Sequence, residues 1–192
     1  MQLDQDILYF FNQTIASSAL DTIMIFVTNV RYWIPVYIIA SIIFIWRYKW
    51  HGVRIVITVA LMVTAADMLT NQVIKQWIAR PRPCSVDAAG VPIISWLRLP
   101  DGGRGGFGMP SSHAVNNFAA VAFFLPLFPS KRLGAILTSI ALLIAMTRPY
   151  LGLHYPSDVL AGIVLGLVIG YLFGRAFQWF EARYFSKPNF VG

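Results

Sequence analysis

Of the 192 residues, 57% are hydrophobic and only 12% charged, about half the ~25% charge of an ordinary soluble domain. This argues against a soluble globular protein and for one compact domain, residues 1–192, whose surface faces a lipid bilayer. The formal charge of +7 could suit nucleic acid, but the cations stand in short groups between apolar runs, so no nucleic-acid partner is expected.

In chain order, Met1 to Asp6 carry no basic run, so no cleavable signal peptide is expected and the first membrane segment would do the targeting. Residues 7–30 are apolar with a helical rhythm, interrupted by Asn12, Gln13, Ser17, Ser18 and Asp21. They read as two short interfacial helices, or else as one extra span. Residues 32–46, flanked by Arg31 and Arg47, form the first span, with Trp33, Trp46, Tyr48 and Trp50 as interfacial anchors.

The second span, 55–74, contains Asp67. Asp67, Asn71 and Lys75 recur at four-residue spacing and so share one helical face. A carboxylate at that depth is costly unless paired or facing a polar cavity. The stripe reads either as a partner for a neighbouring helix or as a path into a site.

Residues 78–112 form a long glycine-rich loop, a length that is usually functional or mobile. Its 91–97 segment either dips into lipid headgroups or covers the fold. Spans of only ~15 residues, ~22 Å long, follow at His113–Phe128 and Leu133–Thr147. The last span, from Val159 past Gly174, carries Gly162, Gly166, Gly170 and Gly174 as a small-residue stripe for close helix packing. The predicted fold is therefore an all-α polytopic bundle of five spans, or six, with N-terminal interfacial helices.

Three polar clusters interrupt this pattern: Lys75 to Pro83, Pro110 to His113, and Thr147 to Asp158. Setting aside Lys75, Arg82 and Arg148, which belong to the clusters, their side of the bundle has four cations: Arg31, Arg80, Arg98 and Arg104. The opposite side has eight: Arg47, Lys49, Arg54, Lys131, Arg132, Arg175, Arg183 and Lys187. Positive charge marks the cytoplasmic face, so the clusters are expected outside.

Lys75, Arg82 and Arg148 suit an anion with several oxygens. Ser111 and Ser112 stand at a helix start, where free N–H groups and the dipole favour negative charge. Asp158, in the first turn of the last span, can reach back to His154, fix its tautomer and leave the other ring nitrogen free to attack. His113 can protonate a leaving oxygen. No metal or other cofactor is called for: Asp87 and Asp101 are too few acids for a carboxylate site, and the histidine and cysteine spacings resemble no zinc motif. Cys84, the single cysteine, reads as a bystander and His51 receives no role.

In order and spacing these clusters resemble the signature of the type 2 phosphatidic acid phosphatase family: Lys, six residues, Arg-Pro; Pro-Ser-Gly-His; Ser-Arg, five residues, His, three residues, Asp. Lys75 to Arg82-Pro83 matches the first part, and Arg148, His154 and Asp158 match the third. Ser112 replaces the glycine and Thr147 the serine; if the glycine is needed for positive φ, Ser112 is strained. The resemblance implies a membrane helical bundle that dephosphorylates lipids without a metal. It gives His154 the role of nucleophile, Asp158 its orienter and His113 the acid, with Lys75, Arg82, Ser111 and Arg148 as phosphate ligands. Small bacterial members suggest undecaprenyl pyrophosphate as substrate, with lipid A phosphate and phosphatidylglycerophosphate as rivals. Vanadium haloperoxidases share the signature but are soluble. A non-catalytic headgroup binder or transporter would not need the His154–Asp158 arrangement.

Overall fold

A computed structural model describes residues 2–185. Helix α1 (Gln2–Tyr9) runs into a π-helical turn at Phe10–Thr14, and α2 (Ser18–Thr28) leaves that segment at 114°. Ser17 starts α2 by accepting a hydrogen bond from the Leu20 N–H at 3.3 Å. The polar interruptions thus fall where two short helices bend sharply against each other.

Helix α3 (Val30–Met68) holds both of the first two predicted spans, folded back at Lys49, where φ is +52° and ψ −129°. The reversal brings Gly52 against Phe44 so closely that a Cβ there would meet the Phe44 carbonyl oxygen at 2.1 Å. The second limb passes through a π-helical turn at Leu69–Ile74 into α4 (Lys75–Ile78). After residues 79–111 come α5 (Ser112–Leu127), α6 (Lys131–Tyr150) and α7 (Pro156–Tyr184). Val30–Ile78, Lys131–Tyr150 and Pro156–Tyr184 are each long and apolar enough to cross a membrane.

Helix α5 is the axis of the bundle. One of its faces packs Val115, Ala119 and Phe123 against Ile55, Met62 and Ala66 of α3 and Ile169 and Phe177 of α7. Another packs Ala114, Phe118 and Val121 against Ala141 and Ala145 of α6 and Val159 of α7. The outside is just as apolar: Leu160, Val164, Val168, Tyr171 and Leu172 of α7 are all exposed. Helices hydrophobic on every side need lipid as their solvent.

The glycine stripe of α7 faces α5. A Cβ on Gly162, Gly166 or Gly170 would meet the backbone oxygens of Ser111, Val115 and Ala119 at 2.7, 2.4 and 2.1 Å. The stripe is a seam within the bundle.

The two ends of the bundle differ. At one, Tyr48 packs on Phe128, and buried Glu181 holds Arg54, whose Nη2 donates at 2.9 Å, and His51, whose Nδ1 lies 2.7 Å away. His51, given no role from sequence, thus ties the α3 reversal to the end of α7. Lys187, counted with this end, lies outside the described residues. The other end carries all three polar clusters.

Two members of the Asp67–Asn71–Lys75 stripe meet in the site, and Asp67 stands outside it. Asp67 precedes the π-helical turn at Leu69–Ile74, while Asn71 and Lys75 stay paired at 2.7 Å. Asn71 and Lys75 point inward while Asp67 is exposed.

Candidate active site

Each cluster sits at a helix end, and the fold brings those ends together. Lys75 opens α4 and is buried; its Nζ donates to Asn71 Oδ1 at 2.7 Å and to Ser112 Oγ at 2.9 Å. Ser112 therefore supplies a hydroxyl contact that a glycine could not. It is an ordinary helical residue, absent from the positive-φ positions, so the expected strain does not arise.

Ser111 is fully buried, and its N–H donates to the Asp158 carbonyl at 2.9 Å, locking the start of α5 to the start of α7. Arg82, in the loop, donates from Nε to the Phe107 carbonyl at 3.3 Å. Arg148 lies in the last turn of α6, 3% exposed, with Nη1 donating to Thr28 Oγ1 at 2.6 Å. Thr147, in place of the signature serine, turns its hydroxyl to the Ile144 carbonyl at 2.6 Å.

The turn between α6 and α7 depends on Gly152, whose φ of +72° lies in the region other residues avoid. A Cβ there would also sit 2.8 Å from the Arg98 carbonyl oxygen. Leaving that turn, His154 is 2% exposed, and its Nδ1 stands 3.6 Å from Asp158 Oδ2. Asp158 is completely buried; its Oδ2 also accepts the Tyr155 N–H at 3.0 Å, capping α7. Burial, and then the charges of Arg148, Arg82 and Lys75, hold the His154 imidazole well below its ordinary pKa. The ring is neutral at pH 7 and can offer a lone pair. His113, in the first turn of α5, lies within electrostatic reach of Arg148 and His154 and against the Thr28 backbone.

The eight residues singled out from sequence are therefore gathered at one end of the bundle. Within it Ser111 Oγ and Arg148 Nε are buried without a hydrogen-bond partner among the described residues. A hydroxyl and a guanidinium N–H left unpaired in a cationic recess are what a phosphate oxygen would satisfy.

Asn71, placed from sequence on the stripe with Lys75, holds that lysine. Sequence reasoning missed three further contributors. Arg80, inside the first cluster, was counted only as a loop cation. Its Nη1 donates to Asp158 Oδ1 at 2.8 Å and Ser157 Oγ at 2.6 Å, and its Nη2 to Asp4 Oδ2 at 2.6 Å. Asp4 and Thr28 reach the site from segments that carried no signal.

Known proteins resemble this chain in sequence and in fold. The chain is 36% identical over 175 residues to a lipid A 4'-phosphatase of Bacteroides thetaiotaomicron, covering 89% of this chain and 75% of that one. It is 33% identical to phosphatidylglycerophosphatase B of Bacillus subtilis, covering 70% and 62% of the two chains. With undecaprenyl-diphosphatase BcrC of the same organism it shares 30% identity over 83% of this chain and 76% of that one. Its fold matches the crystal structure of Aquifex aeolicus LpxE with a TM-score of 0.70, at 20% identity, over 90% of this chain and 95% of that one. It also matches a transmembrane PAP2 type phosphatidylglycerolphosphate phosphatase from Bacillus subtilis, at a TM-score of 0.68 and 25% identity, over 95% and 88% of the two chains. The family model of the PAP2 superfamily matches residues 56–182, about two-thirds of the length and every residue of the three clusters, and the chain belongs to that superfamily of membrane lipid phosphatases.

Proposed function

We propose that the chain removes a phosphate from a lipid at the outer face of a bacterial inner membrane, through a phosphohistidine on His154. The observation that carries this reading is the buried, neutral His154 beside Asp158, facing a recess of Lys75, Arg82 and Arg148 with unpaired polar atoms on Ser111 and Arg148. The cations and hydroxyls would hold the phosphoryl oxygens as charge builds on them. The free His154 nitrogen attacks phosphorus, the P–O bond to the lipid breaks, and His113 gives its proton to the departing oxygen. Water then attacks the phosphohistidine, His113 takes a proton from it, and phosphate leaves with His154 neutral again. No step as written requires a metal.

For the lipid, the extent of similarity to lipid A 4'-phosphatase favours a lipid A phosphate monoester. The similarity to BcrC, over more than three-quarters of both chains, supports undecaprenyl pyrophosphate as a second reading. The test is phosphate release by the purified protein in EDTA from lipid A, undecaprenyl pyrophosphate, phosphatidylglycerophosphate and phosphatidic acid, with His154→Ala as control. The fastest substrate identifies the lipid. Absence of release from all four, or equal release by the variant, would overturn the proposal.

A further inference from the structure

The family model begins at residue 56, yet two chains of polar contacts leading out of the site end well before it. The first runs outward from His154. Asp158 turns Oδ2 to His154 Nδ1 and Oδ1 to Arg80 Nη1. The far side of the same guanidinium donates to Asp4 Oδ2 at 2.6 Å, so one arginine is clamped between two carboxylates. Asp4 in turn accepts from Ser157, from its backbone N–H at 2.9 Å and from its hydroxyl at 2.5 Å, within the first turn of α7. Its side chain is only 14% exposed. Stacking of the guanidinium 4.2 Å over the Tyr155 ring leaves Arg80 little freedom once Asp4 is in place.

The second chain starts from Arg148. Its Nη1 donates to Thr28 Oγ1, a buried hydroxyl at the last residue of α2, and the backbone of the same threonine lies against His113. The segment read from sequence as a pair of interfacial helices thus touches both arms of the site.

We propose that α1 and α2 form a brace that positions the reacting groups, Asp4 holding the nucleophile arm through Arg80 and Asp158, and Thr28 holding the phosphate arm through Arg148. Neither residue touches the reacting atoms; both are positioning residues. The inference rests on the phosphohistidine reading above. The two arms predict different kinetics. Loss of Asp4 loosens the orientation of His154 and slows the chemical step. Loss of the Thr28 hydroxyl frees Arg148 and weakens phosphate binding.

The test should not depend on knowing the lipid. An enzyme that forms a phosphohistidine also exchanges oxygen between inorganic phosphate and water, because His154 can attack phosphate, expel water and run back. Loss of ¹⁸O label from inorganic phosphate, followed in the full-length detergent-purified protein, gives a maximal rate and an apparent KM. Asp4→Asn should lower the maximal rate by roughly 10- to 100-fold and leave KM nearly unchanged. Asp4→Glu, which keeps the charge, should recover part of the loss. Thr28→Val should mainly raise KM. The double variant Asp4→Asn/Arg80→Gln should be no slower than Arg80→Gln alone, because both act through one guanidinium. Asp6→Asn, on an exposed part of the same helix, serves as the unchanged control.

If the wild type exchanges and loses exchange in His154→Ala, but Asp4→Asn and Thr28→Val match it, the brace is overturned and the phosphohistidine stands. If Asp4→Asn and Arg80→Gln multiply independently, the route through Arg80 is overturned. If wild type and His154→Ala are alike, the underlying reading falls with it.

Discussion

Asp158 Oδ2 stands 3.6 Å from His154 Nδ1, on a carboxylate with no exposed surface whose other oxygen is taken by Arg80. The separation is slightly long for a hydrogen bond, as it often is before substrate draws a site together. Asp158→Asn keeps the shape but removes the charge that favours the reactive tautomer. Phosphate release should fall by about 10²- to 10⁴-fold. Alkaline quenching, which preserves phosphohistidine, should show slower phosphoenzyme formation; wild-type rates would remove Asp158 from the mechanism.

His154 is the group for which a pH effect has a definite sign. Burial and three neighbouring cations lower its pKa, so in the free enzyme it should take up a proton only well below the ~6.5 of an ordinary imidazole. The ¹⁵N spectrum of the histidine-labelled protein, assigned by difference against His154→Gln, should show this ring neutral at pH 5.5. A ring that titrates near 6.5 would mean that the recess is more open to water than its burial indicates.

Ser112 stands in a helical conformation where the related signature has glycine. Ser112→Gly retains the backbone N–H and leaves Lys75 its bond to Asn71. Activity should stay within a few-fold of wild type, with stability lower by about 0.5–1 kcal/mol from backbone entropy. Thermal unfolding alongside phosphate release separates the two effects.

The α5–α7 seam gives a graded series. Gly174 has no neighbour closer than 3.6 Å to an added Cβ, whereas at Gly170 the Ala119 carbonyl lies 2.1 Å away. Gly174→Ala should be tolerated; Gly170→Ala should cost roughly 1–3 kcal/mol as overpacking. Gly162→Ala should differ in kind, because the backbone it would strike is Ser111. A loss of activity larger than its loss of melting temperature is the expected result.

At the opposite end, Glu181 is the buried acceptor for both Arg54 and His51. Glu181→Ala should remove the buried carboxylate that Arg54 and His51 share and cost about 3–5 kcal/mol. The specific activity of the fraction that remains folded should be unchanged, because this clamp is at the far end from His154.

What could be read from the sequence followed from local periodicity and from motif spacing. Apolar run lengths located the helices, and residue chemistry at their ends, together with the family resemblance, singled out Lys75, Arg82, Arg148, His154 and Asp158. The reversal at Lys49 was not legible as a backbone event, because nothing in its composition requires φ of +52°. Four-residue spacing paired Asn71 with Lys75 correctly, but Asp67, which precedes the π-helical turn, is exposed. Asp4 and Ser157 are 153 residues apart, and a lone surface-type acid carries no mark of such a partner. Glu181 did carry a signal, as a single acid in a field of cations, but His51 as its companion needed the folded helices.

The seam of α5 on α7 has a consequence for how such a protein can diversify. Ser111 and Asp158 are joined backbone to backbone at the point where the two helices cross, with Gly162 beneath them. The residues proposed to act on phosphate are therefore anchored in the bundle and at its edges by Arg80, Arg82 and Ser111, and owe less to the 84–106 stretch between the first two clusters. That 84–106 stretch can lengthen, shorten or change its side chains while Lys75, Arg82, Ser111, Arg148 and His154 keep their places. Lineages built on this crossing are free to exchange one lipid for another without rebuilding the reaction.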